Sequence, residues 1–171
     1  MKLKDLQIVS DQPFPSIENL VPNKQEARSL MDDYAGIVSE TTASIQYMYQ
    51  HYIVYETEPE IAEILEEIAI SEMVHHEKLG KAIFMLGGDP IIAGTRGYWN
   101  GSVINYAKCT KTFLKNNIAS EKLAIRNYKY TLTKITQESL KALIERIILD
   151  EQVHIETFTF LLEYLDAQKT E

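Results

Sequence analysis

A single cysteine, Cys109, in 171 residues excludes an internal disulfide and any paired-cysteine metal knuckle. Its bland reading is a buried, inert thiol. Glycine and proline are also scarce, at 7 and 5, which is few for a sheet-and-turn fold and points to helix. No run approaches the roughly 20 apolar residues of a membrane span. The opening MKLKDLQIVSDQ holds no apolar stretch suited to a secretory signal, so a cytoplasmic protein without a membrane segment is expected. Positive charge is short as well: Lys and Arg number 17 against 25 Asp and Glu, a net charge of -8. Such a balance disfavours a sequence-independent grip on phosphate backbones, and no nucleic-acid partner is expected. What is present, 45% hydrophobic and 25% charged residues, suits one soluble globular domain.

Residues 1–23 carry Pro13, Pro15 and Pro22 and no helical period, which predicts an extended N-terminal arm. From about Lys24 to Tyr55 the residues Tyr34, Ile37, Glu40, Ser44, Tyr47 and His51 recur at steps of three and four, interrupted by one glycine, Gly36. One long first helix is expected. Pro59 restarts the chain in a second helix ending at Gly87-Gly88, with Thr57 or Glu58 near its cap. Asp89 to about Gly101 reads as a long crossover. A third helix is clear by Leu114, and Thr136 is placed to cap a fourth that runs from Leu140 past Leu165. The expected fold is all-α, an antiparallel four-helix bundle over residues 24–171 with a long crossover between its second and third helices.

The chemistry lies in two Glu-x-x-His motifs, Glu72 with His75 and Glu151 with His154, each with both side chains on one helical face. Either motif alone is a weak signal. Repetition strengthens it: Glu40 precedes Glu72 by 32 residues and Glu121 precedes Glu151 by 30, so each half of the chain supplies Glu and then Glu-x-x-His. All six groups fall on apolar stripes, where unpaired carboxylates are destabilising. Two divalent cations against four carboxylates close the charge, with both imidazoles neutral. Oxygen and imidazole donors without thiolate suit iron or manganese, and the choice between them stays open.

The stretches SEMVHHEKLGKAIFMLGGDP and ERIILDEQVHIETF, with Glu40 and Glu121, resemble the ferritin-like di-metal carboxylate superfamily of ferritins, bacterioferritins, rubrerythrins and manganese catalases. The resemblance spans about Lys24 to Ala167 and is nearest the small rubrerythrin-type and manganese-catalase-type proteins. It implies a ferritin-like bundle holding two iron ions per chain, or two manganese ions. Glu72 and Glu151 would bridge the ions, Glu40 and Glu121 would be terminal ligands, and His75 and His154 would each hold one ion. It also implies redox chemistry on hydrogen peroxide or dioxygen, of peroxidase or catalase type, with ferroxidase activity and iron storage or buffering as the alternative. Three departures shape that expectation. Ala124 stands where rubrerythrins usually carry a further Glu, and one cysteine cannot form their usual rubredoxin domain, so a di-iron site would draw electrons from a separate donor. The chain also stops at Glu171, without the fifth helix usual in cage-forming ferritins, so a homodimer is expected in place of a storage cage.

Tyr47 and Tyr128 each follow a ligand Glu by seven residues, so their phenols are placed to touch the ligands or to donate an electron; amphipathic core tyrosines are the plain alternative. Asp150 is a candidate to orient an imidazole N–H. Met73 follows Glu72, where bacterioferritins place a haem ligand, yet a helical Met is most often packing and no haem is expected. His76 and His51 are read as non-ligands.

Overall fold

The computed structural model describes residues 3 and 6–168, in which five α-helices, a two-stranded hairpin and a 3-10 turn succeed one another. The predicted arm and bundle therefore lie partly outside the described residues, at 1–2, 4–5 and 169–171. The helices are α1 (Lys24–Ala35), α2 (Glu40–Val54), α3 (Pro59–Met85), α4 (Thr110–Leu132) and α5 (Glu138–Ala167). α2 packs chiefly on α3, α4 on α5, and α1 on α3. The short links between partners make each pair antiparallel, and α1 with α2 together form one wall of a four-helix bundle. Among the described residues, no helix is long and apolar enough to cross a membrane.

The single long first helix expected over Lys24–Tyr55 is two helices. At Gly36 the backbone turns extended, with φ -82° and ψ -162°, and its N–H bonds Asp32 O. A Cβ on residue 36 would collide with that carbonyl, so glycine is required by close approach. Ser39 then caps α2, its hydroxyl accepting from Thr42 N at 3.3 Å. Glu40, the first residue of α2, therefore sits where helix-end N–H groups favour an anion.

α3 begins with Pro59 at its first turn and Glu58 at the cap position, its side chain making no capping bond to the helix. It ends as glycine permits: Gly87 adopts φ +80°, and Gly88 N reaches Ile83 O at 2.9 Å while Gly87 N reaches Phe84 O at 2.9 Å. Thr136 does not cap the last helix. Its N–H and hydroxyl both donate to Glu26 Oε1, at 2.8 and 2.6 Å, and Gln137 occupies the cap position with no side-chain bond to the helix end.

The crossover holds the hairpin β1 (Ala93–Gly94) and β2 (Gly97–Tyr98), then a 3-10 turn at Gly101–Val103. It is stitched to the α1–α2 break. Thr95 N donates to Asp32 Oδ1 at 2.7 Å, Trp99 Nε1 to Thr42 Oγ1 at 2.9 Å, and Asn105 N to Gln46 Oε1 at 2.8 Å.

The apolar interior falls into two clusters. One gathers Leu30, Tyr34, Leu79, Ile83, Tyr128 and Ile147, and the other Tyr47, Leu65, Ile68, Phe113, Leu114 and Phe158. On every wall the residues between them are the six metal-ligand candidates: Glu40 precedes Tyr47, Glu72 and His75 separate Ile68 from Leu79, Glu121 separates Leu114 from Tyr128, and Glu151 and His154 separate Ile147 from Phe158. Packing on both sides supplies the stability that a buried polar layer does not.

Candidate metal centre

Helical spacing brings the six side chains to one level of the bundle. All are buried, none more than 3% exposed. Their donor atoms form two overlapping groups, Glu40, Glu72, His75 and Glu151, and Glu72, Glu121, Glu151 and His154. Within each group the donors lie within 4.8 Å of one another, and a cation about 2.0–2.2 Å from each oxygen and nitrogen fits that spread.

Glu72 and Glu151 belong to both groups, one carboxylate oxygen to each. His75 Nδ1 lies 3.1 Å from Glu72 Oε2 and 3.3 Å from Glu151 Oε1, whereas His154 Nδ1 lies 3.0 Å from Glu72 Oε1 and 3.2 Å from Glu151 Oε2. Glu40 Oε2 is 3.3 Å from His75 Nδ1. A carboxylate with one oxygen facing each of two positions is placed to bridge two ions. Glu40 Oε2 and Glu72 Oε1 are buried without a well-aligned hydrogen bond, their nearest polar neighbours being the imidazole nitrogens of His75 and His154 that share the centre. The donor set fits two metal ions.

The two tyrosines reach across the bundle. Tyr47 of α2 donates to Glu121 Oε1 of α4, and Tyr128 of α4 donates to Glu40 Oε1 of α2. Both phenols are buried and hydrogen-bonded, so each occupies one oxygen of its carboxylate, Oε1 of Glu121 and Oε1 of Glu40. Asp150, turned away from Glu151 on its own helix, contacts the neighbouring one: Asp150 Oδ2 is 2.9 Å from His75 Nε2. Its other oxygen accepts Ser10 N at 2.7 Å and pairs with Arg146 Nη1 at 2.6 Å. Arg146 escaped notice in the sequence, although an Arg four residues before Asp150 on a buried stripe is the signal for such a pair.

Burial and mutual repulsion push the Glu40 and Glu121 carboxyls well above the usual range, with Glu72 and Glu151 the repelling charges. Burial also works against Glu72, but the imidazoles of His154 and His75 outweigh it and hold that carboxyl low. Burial and repulsion from Glu72 are likewise overcome at Glu151 by hydrogen bonds from both imidazoles. Burial opposes the charge on His154, yet Glu72 and Glu151 raise it to about 9, and His75 is raised well above its ordinary value by Asp150 and three Glu carboxylates. The cations that would complete this centre take the place of protons that the side chains otherwise hold.

The remaining sequence candidates lie outside it. Met73 is 58% exposed. His76 stacks on Tyr34 with ring centroids 4.2 Å apart, and His51 Nδ1 is 2.8 Å from Ala62 O. Cys109 is exposed at the start of α4, so the buried-thiol expectation is corrected: the cap position before Thr110 leaves the side chain in solvent. A buried amide network, missed in the sequence because uncharged residues give no spacing signal, links Asn117 of α4 to Gln46 and Gln50 of α2 at 3.2 and 3.0 Å. Beside it, a cavity of about 200 Å³ opens between the crossover, α2 and α4, lined by Glu40, Glu72, Glu121 and Glu151 together with Val38, Val103 and Ala124.

Residues 34–162 match the rubrerythrin family. No curated protein matches the chain. A manganese catalase from Anabaena shares the fold with a TM-score of 0.83 at 23% identity, covering 94% of this chain and 81% of that one. A bacterioferritin from Desulfovibrio desulfuricans, described with its di-iron site in different catalytic states, gives 0.69 at 25% identity over 86% of each chain. A bacterioferritin from Rhodobacter capsulatus gives 0.73 at 19% identity, covering 86% of this chain and 89% of that one.

Proposed function

We propose that this chain, which belongs to the rubrerythrin family, is a di-metal oxidoreductase that turns over hydrogen peroxide in the buried centre between α2, α3, α4 and α5. The observation that carries the reading is the pair of overlapping ligand groups opening onto a cavity of about 200 Å³, which admits a small substrate such as peroxide together with several waters. Two redox-active ions, manganese or iron, would supply the electron changes that peroxide reduction or dismutation needs. The protein does the rest. Glu72 and Glu151 hold the two positions at a fixed separation, and Glu40 with His75 and Glu121 with His154 complete them. Tyr128 and Tyr47 fix the terminal carboxylates and stand as proton donors beside them. Val38, Val103 and Ala124 give part of the approach an apolar surface, beside the polar Ser39, Thr42 and Ser120. Ala124 adds space there instead of a further carboxylate ligand.

The likeness to a manganese catalase over 94% of the chain supports manganese and dismutation, and the likeness to bacterioferritins supports the second reading, oxidation of ferrous iron for storage. Loading the chain separately with Mn2+ and Fe2+ and following peroxide and oxygen with electrodes tests both. One oxygen released per two peroxides consumed is the result expected of dismutation. Peroxide loss only with an added electron donor would make it a peroxidase, with a separate reductant protein as partner. Accumulation of iron far beyond two ions per chain, with no peroxide turnover, would overturn the enzyme reading. We further propose a cytoplasmic homodimer joined across the outer face of α2 and α3, where Ile45, Tyr52, Ile70 and Met73 are about half exposed or more. Light scattering would show a dimer that Ile70→Glu with Met73→Glu dissociates; a wild-type monomer would refute it.

A further inference from the structure

The two halves of the centre agree in their ligands and differ behind their histidines. Tyr128 on Glu40 is matched by Tyr47 on Glu121, and Glu72 by Glu151. The match then stops. His75 directs Nε2 to the Asp150 carboxylate at 2.9 Å, whereas His154 Nε2 is fully buried with no hydrogen-bond partner. The repeat explains the gap: Asp150 immediately precedes Glu151, and the residue immediately preceding Glu72 is Ser71, which carries no carboxylate. Arg146, four residues before Asp150, has Glu67 as its counterpart.

Asp150 is itself held from outside the bundle. Besides Arg146, it receives the backbone N–H of Ser10 at 2.7 Å. Arg146 in turn donates to the carbonyls of Gln12 at 2.5 Å and Ser10 at 2.9 Å. Phe14 of the same arm lies edge-on to His75 at 6.2 Å and under the Arg146 guanidinium at 4.5 Å. A metal-bound histidine whose second nitrogen donates to a carboxylate is fixed in tautomer and direction and is a stronger donor, and losing that partner typically costs 10–100-fold in affinity.

Resting on the di-metal reading, we propose that the two metal positions are unequal: Asp150, clamped by Arg146 and the N-terminal arm, makes the Glu40–His75 position the tighter and first-filled, and leaves the Glu121–His154 position the weaker. Asp150 and Ser10 are positioning residues in this arrangement, since neither contacts an ion.

Calorimetric titration of the full metal-free chain with Mn2+ alone tests it. The wild type should bind two ions in separate steps, their affinities about 10–100-fold apart. Asp150→Ala should weaken the tighter step by a similar factor and leave the weaker one unchanged. Asp150→Asn, which keeps an acceptor for the imidazole N–H, should recover most of the loss. Ser10→Pro removes the arm's N–H to Asp150 and, with Ser10→Ala as the control for the hydroxyl that accepts from Gln12 N, should cost less, in the same step. Ser71→Asn, which gives the other half an acceptor, should tighten the weaker step and narrow the gap, so the proposal stays testable even if Asp150→Ala unfolds in a melting control. Two ions of one affinity in the wild type, or an Asp150→Ala effect shared equally by both steps, would overturn it. Failure of the unmutated chain to bind two ions would remove the di-metal reading itself, a result visible before any variant is made.

Discussion

Loading the metal-free chain with two equivalents of Mn2+ at pH 7 should release about four protons. The count follows from charge. Six ionisable side chains lie at most 3% exposed, too deep for the four carboxylates to stay ionised without compensation. In the metal-free chain burial and repulsion favour the neutral form of Glu40 and Glu121, the imidazoles favour the ionised form of Glu72 and Glu151, and the carboxylates favour the charged form of His75 and His154. That state is neutral. The metal-bound state is neutral too, with four carboxylates against two divalent ions and both imidazoles deprotonated. The two states differ by two carboxyl and two imidazolium protons. Each coupled proton makes binding tenfold weaker per unit fall in pH, about 1.4 kcal/mol, so the pair of ions loses roughly 5 kcal/mol of combined binding free energy per unit near neutrality. Calorimetry in buffers of different ionisation enthalpy reads the number directly, as the slope of observed heat against buffer enthalpy. The slope should fall above pH 9, where His154 gives up its proton unaided. A slope of one proton or fewer at pH 7, or an affinity unchanged between pH 6 and pH 8, would refute the reasoning.

The same protons make the metal-free fold sensitive to alkali. His154 has a folded value of about 9 against an ordinary 6.5, so its contribution is complete below pH 6.5 and gone above pH 9. The shift corresponds to about 3 kcal/mol and a melting temperature roughly 10 °C lower at high pH, which bound Mn2+ should abolish; a flat metal-free profile would contradict this. Asp33, buried and bonded by Thr131 Oγ1 at 2.6 Å, is raised by burial to about 7 from 3.8. Its cost therefore grows as pH rises through that window, and Asp33→Asn should stabilise the chain at pH 8 by up to about 4 kcal/mol and hardly at all at pH 4, read by urea unfolding. Tyr128→Phe should weaken the Glu40–His75 position about tenfold and Tyr47→Phe the Glu121–His154 position equally, with metal-free melting nearly unchanged; a loss spread over both positions would count against one phenol serving one ligand.

Much of this was legible along the chain, because the ligands are spaced by helix geometry. Positions three apart share a face whatever surrounds them, so Glu72 with His75 and Glu151 with His154 could be paired before any fold was known. The break at Gly36 was hidden, since Ile37 and Glu40 continue the period of Tyr34 and the obstacle is a contact with Asp32 O that only three dimensions reveal. Gly36 followed by Ser39 and Thr42, a stop and then a cap, was the available signal. Thr136 misled for a related reason: a capping residue type satisfies any nearby acceptor, and the Glu26 carboxylate lay closer than the helix end.

The tyrosines and Asp150 mark where reading along one helix stops being informative. Seven residues beyond Glu40, Tyr47 belongs to the same helix yet bonds Glu121, and Asp150 turns away from Glu151 yet meets His75. In a bundle, a side chain pointing off its own ligand face points at a neighbouring helix, so partners behind the ligands come from the adjacent wall. Contacts of that kind depend on helix order and on the crossover, which local periodicity does not encode. The repeat therefore makes the two halves look alike in sequence, while the packing of one arm against Arg146 and Asp150 makes them differ in space.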